Sequence, residues 1–438
     1  MKARLVPIYF VKGRDADFDL QLGRLKELLA DQAEFLPPVG LGEPLPEAEA
    51  VIFPQFLGEA YYQVQDFKSI HLPILVITSE FGTVLMWDWE IVSYLRSEGV
   101  ATIAPSSFEQ TQKLLTALQL KRELQGTKFL VFQDNPGEGF QSEIFKRFYW
   151  FEPECIQRMQ DKFGVEIVKQ SFKTLASQAK QIPDQGAQQV IDEHKFSVQG
   201  LTPRAVNSAA KLYLAVRNEL QAMDGVGAVG INCLNESRYS DTTPCLAWNL
   251  LYEEERMIWG CEADIVSMLT KYILHKTLGM PIMMTNLYPF LMGKAALAHE
   301  RIPHFPQVDE PENHILAAHC GYLGVVPQSF STEWRLGPKV LAIVDDNASA
   351  IDARLPTGDM TLAKFSPSFE QMTVAEGGLE DYIQYQDSDC LNGAILRVPD
   401  GRRMLDRLTS HHYLLMTGHH QADIEMVGRV FDFQVAQL

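Results

Sequence analysis

The chain has 438 residues, of which 46% are hydrophobic and 21% charged, a balance that belongs to folded globular proteins and not to disordered ones. Its 38 Lys and Arg stand against 56 Asp and Glu, and a net charge of −18 without a basic stripe argues against a general nucleic-acid binder, which needs clustered cations for phosphate. At about 100–200 residues per domain, the length predicts two to four domains.

The N-terminal apolar run, residues 5–11, contains Pro7 and stops at Lys12; it is too short for a secretory signal and reads as a first strand. Residues 5–10, 50–54, 74–78 and 100–104 are predicted strands, and residues 18–31, 87–99 and 108–124 carry the 3.6-residue spacing of helices. This alternation predicts an α/β domain over residues 1–125 with a doubly wound open sheet, its ligands lying beyond the carboxyl ends of the strands. The pattern restarts after residues 125–128. Strands are expected at 129–133, 165–168 and the Gly-rich 225–231, a turn at Asp134-Asn135-Pro136-Gly137, and helices at 153–164, 173–181 and 202–224. These make a second doubly wound α/β domain over residues 126–300. Beyond it, turn signals such as Pro311-Glu312-Asn313, Pro356-Thr357-Gly358 and Pro399-Asp400-Gly401 separate short β-like runs at 314–318, 340–344, 360–365, 394–398 and 412–416. They predict a mainly antiparallel, barrel-like C-terminal domain over residues 301–438.

The longest uncharged stretch, residues 277–293, is interrupted by Gly279, Pro281, Asn286 and Pro289. A membrane span needs roughly 20 continuous apolar residues, so this stretch reads as buried core and no membrane association is expected. Cys155, Cys233, Cys245, Cys261, Cys320 and Cys390 form no Cys-x-x-Cys pair; reduced thiols and a cytoplasmic location follow.

No Walker motif, Gly-x-Gly-x-x-Gly, Gly-x-Ser-x-Gly or His-Glu-x-x-His occurs. Possible metal ligands instead stand at element boundaries. Cys261-Glu262-Ala263-Asp264 precedes a helix whose Ile265, Met268, Leu269 and Tyr272 form one apolar face and which Gly279 ends. Both acids can be first-turn carboxylates favoured by the helix dipole, or Glu262 can point into a cleft as ligand and base. Asn286 closes the apolar run Met283-Met284-Thr285 and alone reads as a turn residue; His319 follows the strand at 314–318. His411, His412, His419 and His420 place four of the 11 histidines within ten residues. Strand alternation would send His411 and His412 to opposite faces, so at most one should serve a given site.

The order of short blocks is more specific than any one of them. Cys-Leu-Asn at 233–235, Thr-Pro-Cys-Leu-Ala-Trp at 243–248, Cys-Glu-Ala-Asp at 261–264, Met-Met-Thr-Asn at 283–286, Ala-His-Cys-Gly at 318–321, Gly-Asp-Met-Thr-Leu-Ala at 358–363 and Ser-His-His-Tyr at 410–413 follow one another. Over residues 226–438 the chain thereby resembles the L-fucose isomerase/L-arabinose isomerase superfamily, especially its shorter fucose isomerase-like members. The resemblance implies a metal-dependent intramolecular oxidoreductase, an aldose–ketose isomerase. It also implies one Mn²⁺ (or Mg²⁺ or Co²⁺) in a cleft between domains and a homo-oligomer, trimer or hexamer. By position it makes Glu262 a ligand and the catalytic carboxylate, and Asn286, His319 and His412 the remaining ligands. Asp264, Thr361, His411, His419 and His420 become substrate contacts.

The chemistry fits such a set. Moving a carbonyl from C1 to C2 removes a weakly acidic C–H proton and returns it to the next carbon; a divalent metal stabilises the enediolate charge and a carboxylate carries the proton. Asn286 departs from the pattern, since it stands where the relatives have a second acid and an amide cannot accept a proton near neutral pH. Glu262 then acts alone, or Asp264 or Asp359 supplies the second acid, or the protein binds a sugar without turning it over. An epimerase or lyase using the same enediolate is a further alternative. His419, His420, Arg335 and Arg354 would suit an anionic sugar, such as a sulfo-hexose, though the histidines also read as a surface loop.

Overall fold

A computed structural model describes residues 2–10, 14–55, 58–80, 86–134, 148–292, 306–320, 322–339, 347–385 and 392–438. The chain divides into two compact units, one comprising Met1–Gln125, Lys276–Leu278 and Ala422–Gln434, the other Gly126–His275, Gly279–Gln421 and Val435–Leu438. The expected strand at 340–344, the turn residues 135–137, Gly321 and Cys390 lie outside the described residues.

The first unit is built on the strands β1 (Ala3–Tyr9), β2 (Ala33–Phe35), β3 (Val39–Gly40), β4 (Ala50–Phe53), β5 (Ile74–Val76) and β6 (Thr102–Ile103). They pair in parallel in the order β2-β1-β4-β5-β6, with β3 also on β1. Helix Ala16–Leu28 starts where the Asp15 carboxylate accepts from the Phe18 amide, and it buries Phe18, Leu22 and Leu25 at helical spacing. The core gathers Val6 and Ile8 of the first strand and the following Phe10 with Phe53, Phe67, Ile91 and Leu95; the Phe53 and Phe67 rings stack at 5.1 Å.

In the second unit β7 (Lys128–Phe132), β8 (Glu166–Gln170), β9 (Val226–Ile231) and β10 (Ile258–Gly260) form another parallel sheet, in the order β10-β9-β7-β8. Its glycines have a packing reason. A Cβ on Gly230 would lie 2.9 Å from Met268 Sδ, and one on Gly260 would lie 2.3 Å from Met268 Cγ. Helix Ile265–Leu278 therefore approaches the sheet more closely than any side chain at these positions would allow.

Strands β11 (Ile282–Tyr288), β12 (His314–Ala318), β13 (Glu333–Pro338), β14 (Ser349–Arg354), β15 (Gly358–Phe365), β16 (Gln371–Ile383), β17 (Gly393–Arg397), β18 (His412–Thr417) and β19 (Gln434–Gln437) complete the chain. Pairing in the order β15-β18-β11-β12-β17-β16, with β16 returning to β15, closes a six-stranded antiparallel barrel. Strand β19 adds to β16, while β13 and β14 form a separate hairpin. The architecture is thus mixed α/β, with parallel sheets first and the barrel near the C-terminus. Among the described residues no helix is long and apolar enough to cross a membrane.

Several elements escape a reading by periodicity. Helix Cys245–Glu255 buries Cys245 through Tyr252 without a break, so it shows no polar face. Strands β2, β3 and β10 are only two or three residues long. Asn286 lies inside β11 and does not end it, paired with His412 on one side and Ala318 on the other.

Two glycine substitutions should move stability in opposite directions. A Cβ on Gly393 would meet the Ala317 carbonyl oxygen at 1.9 Å, so Gly393→Ala should cost more than about 2 kcal/mol by forcing β17 away from β12. Gly23, inside an exposed helix face with nothing within 4 Å, should instead gain about 0.5–1 kcal/mol as Gly23→Ala. Thermal unfolding of the two variants measures both.

Candidate metal centre

Strand β10 lies in a parallel sheet, and the residues just beyond its carboxyl end form the tight turn Cys261–Ala263. Within that turn Glu262 (φ 53°) and Ala263 (φ 50°) both hold left-handed backbone, which costs a non-glycine residue roughly 1–2 kcal/mol. The Trp150 indole donates to the Glu262 carbonyl oxygen at 3.4 Å, and its ring lies 5.1 Å from the His412 ring. The turn is therefore held so that the Glu262 carboxylate points inward, buried.

Asp264 follows and caps helix Ile265–Leu278, accepting from the Ser267 amide at 2.9 Å and the Ser267 hydroxyl at 2.7 Å. Oδ2 of the same carboxylate takes the Lys364 ammonium from β15 at 2.6 Å and Nδ1–H of His412 from β18 at 2.9 Å. That bond fixes the His412 tautomer in the neutral ring and turns Nε2 toward Glu262 Oε2, 3.6 Å away. The register that pairs Asn286 with His412 puts both on one face of the barrel wall. There Asn286 Oδ1 accepts from His319 Nδ1 at 3.2 Å, its amide nitrogen donates to the Tyr288 hydroxyl, and His319 Nε2 faces Glu262 Oε1 at 3.9 Å.

Among the described residues three buried atoms in this cluster have no hydrogen-bond partner: Glu262 Oε2, His319 Nε2 and His412 Nε2. Orphaned polar atoms of this kind are costly, and a carboxylate oxygen and imidazole nitrogens are donors of the kind that hold a divalent cation. Glu262 belongs to two sets of donors that lie within 4.8 Å of one another, one with His411 and His412, the other with His319 and Cys320. His411 joins because it precedes β18, so strand alternation does not separate it from His412. The rings sit 4.1 Å apart, against the expectation that they face opposite ways.

Burial raises the Glu262 carboxyl, but the His412, His319 and His411 imidazoles outweigh it and hold the pKa at about 2. Burial lowers His412, yet the Glu262 and Asp264 carboxylates raise it to about 9. His411, half-buried beside a cationic neighbour, falls to about 3. Cys320 is pushed up by burial and down further by His319 and Lys339, to about 6.

A cavity of about 10 Å³, room for one water, is lined by Cys233, Thr243, Cys245, Cys261, His319, Cys320 and Lys339. It suits an ion or a water and is too small for a sugar. A cleft of about 630 Å³, lined by Lys180, Asp184, Arg204, Lys211 and Asp241 among others, includes none of these centre residues.

The other expected residues sit apart. Asp264 was expected to touch substrate, but all its bonds go to the helix cap, Lys364 and His412. The Thr361 hydroxyl is likewise engaged, donating to the Gly418 carbonyl and accepting from the His420 amide. His419 is exposed, 3.1 Å from the Gly377 carbonyl oxygen, and His420 turns back on the Thr417 carbonyl oxygen. Asn286, expected as a ligand, holds His319 in place. Arg335 pairs with Asp352 and Arg354 with Glu333, within the β13–β14 hairpin. Lys364 and Trp150 were not anticipated. A lysine inside the apolar run Leu362-Ala363-Lys364-Phe365 was the one available signal for Lys364.

No protein-family model matches the chain, and no curated protein matches it.

In the metal-free protein, His412 with its raised pKa contributes stability below its ordinary 6.5 that is lost as pH rises through about 9. Glu262 contributes above its ordinary 4.5, and that part is lost as pH falls toward about 2. The stability lost in His412→Asn relative to the unchanged protein should therefore be largest below pH 6.5 and shrink as pH rises toward 9, read as the difference between their unfolding temperatures in a series of melts.

Proposed function

We propose that the protein is a cytoplasmic, metal-dependent aldose–ketose isomerase of the fucose isomerase-like kind. Its scaffold would be two doubly wound domains and a barrel, acting on a hexose or pentose as a homo-oligomer. The observation that carries this reading is the convergence of Glu262, His319 and His412, distant in sequence, with three unpartnered buried atoms turned toward one another. Five unpaired cysteines among the described residues fit a reducing compartment.

A divalent cation bound here would polarise the sugar carbonyl and stabilise the charge that develops on its oxygen. The chain's own residues do the rest. The imidazoles His412 and His319, locked at Nδ1 by Asp264 and Asn286, present Nε2 as donors without a rotamer search. Glu262, kept ionised by its neighbours, accepts the C–H proton on a carboxylate oxygen and returns it to the adjacent carbon. Lys364 neutralises Asp264, so that carboxylate orients His412 without competing for the proton. His411 and Cys320, the less buried members of the cluster, mark its more accessible sides.

A second reading, sugar binding without turnover, draws on Asn286: among the described residues no second carboxylate stands opposite Glu262, and Asp264 is fully engaged.

Metal-stripped protein given Mn²⁺ and a panel of aldoses and ketoses in D₂O should place deuterium at C1 or C2 of one of them. Glu262→Gln should slow that exchange by at least about 100-fold with the fold retained, and an unaffected variant would remove Glu262 as the base. Tight sugar binding with no exchange from any substrate would favour the second reading. Asn286→Leu, which frees the His319 ring, should weaken divalent-metal binding at the position that His319 serves by about 10–100-fold in a calorimetric titration.

A further inference from the structure

We propose that Glu262 faces two cation positions, and that the second, formed with His319 and Cys320, is a thiolate site for a borderline divalent ion such as Zn²⁺ or Co²⁺. This rests on reading the cluster as a metal centre and goes beyond the single Mn²⁺ expected there.

The geometry separates the positions. Glu262 is common to two donor sets, each with its atoms within 4.8 Å of one another: His411 and His412 complete one, His319 and Cys320 the other. The two carboxylate oxygens divide accordingly, Oε2 toward His412 and Oε1 toward His319. A bridging carboxylate of this kind holds paired ions roughly 3.5–4 Å apart. Both imidazole nitrogens aimed at Glu262 are buried and, among the described residues, without hydrogen-bond partners, and each ring is anchored by a different residue, Asp264 or Asn286.

Cys320 is held in place by backbone. His319 and Tyr322 exchange amide–carbonyl bonds, and Cys320 beside His319 holds left-handed backbone at φ 55°. Cys320 and His319 both line the cavity of about 10 Å³. One oxygen, one imidazole nitrogen and one thiolate sulfur make three ligands, the number that leaves a zinc-type ion one open position for water or substrate. Sulfur disfavours Mn²⁺ and Mg²⁺ and favours Zn²⁺ and Co²⁺. The ion binds through a lone pair of the Cys320 sulfur, and any proton still on the thiol leaves to solvent as the bond forms. Lys339 lies beside the same thiol and competes with the ion for it.

The test uses the full chain, stripped with chelator and titrated with Co²⁺ alone. Two equivalents per chain are expected, one of them bringing a near-ultraviolet thiolate-to-cobalt absorption. Cys320→Ser should reduce binding to one equivalent and abolish that absorption; His412→Ala should reduce it to one and keep the absorption. Saturation of the unmodified chain at one equivalent, or an absorption that persists in Cys320→Ser, overturns the second position whether or not either variant folds. If no Co²⁺ binds, the metal-centre reading beneath it fails as well.

Discussion

A single buried carboxylate joins the parallel sheet to the barrel. Asp264 caps helix Ile265–Leu278, receives the Lys364 ammonium from β15 and orients His412 from β18, and its side chain is 0% exposed. A buried ion pair is tolerated only when its remaining lone pairs are met, and removing one partner leaves a charge costing about 3–5 kcal/mol. Here the Ser267 hydroxyl and amide meet them. Because one side chain serves a helix start, a strand and a histidine tautomer, the distance from Glu262 to His412 is set by the fold and not by loop chance.

Strain accumulates around that joint. Left-handed backbone at Glu262, Ala263 and Cys320 brings a carboxylate and a thiol toward the same imidazole. None of the three residues has the local hydrogen-bonding habit that eases Asn or Asp into this region. The surrounding packing over-determines them: Trp150 on the Glu262 carbonyl, Met268 against Gly260, and the His319–Tyr322 pairing around Cys320. Strain and unpartnered polar atoms thus coincide at one place, where the proposed cation would sit.

Much of this was legible in one dimension. Amphipathic helices such as Pro153–Phe163, which buries Cys155, Met159 and Phe163, have strong periods, and short apolar runs such as His314–Ala318 stand out by composition between turn signals; both emerge as read. Elements buried on all sides, as in Cys245–Glu255, carry no period to read. For the site, Glu262, His319 and His412 were legible as ligand types at element ends. The part played by Asn286 was not, since a residue's use as a ligand or as an anchor for one depends on which atom faces it across a strand pair. Strand alternation misjudged His411 because the strand begins one residue later.

The amino-acid order by itself determined the alternation of strands and helices in the first half, the turn-rich antiparallel end, and a short set of acids and histidines fit to hold a cation. These follow from local periods and residue chemistry. Only the tertiary structure decided that β16 returns to β15 to close a barrel, that Lys364 meets Asp264, and that Cys320 stands with Glu262 and His319. Those facts depend on register and on backbone angles at a few turns, and they bring together residues whose separation along the chain carries no trace of their meeting.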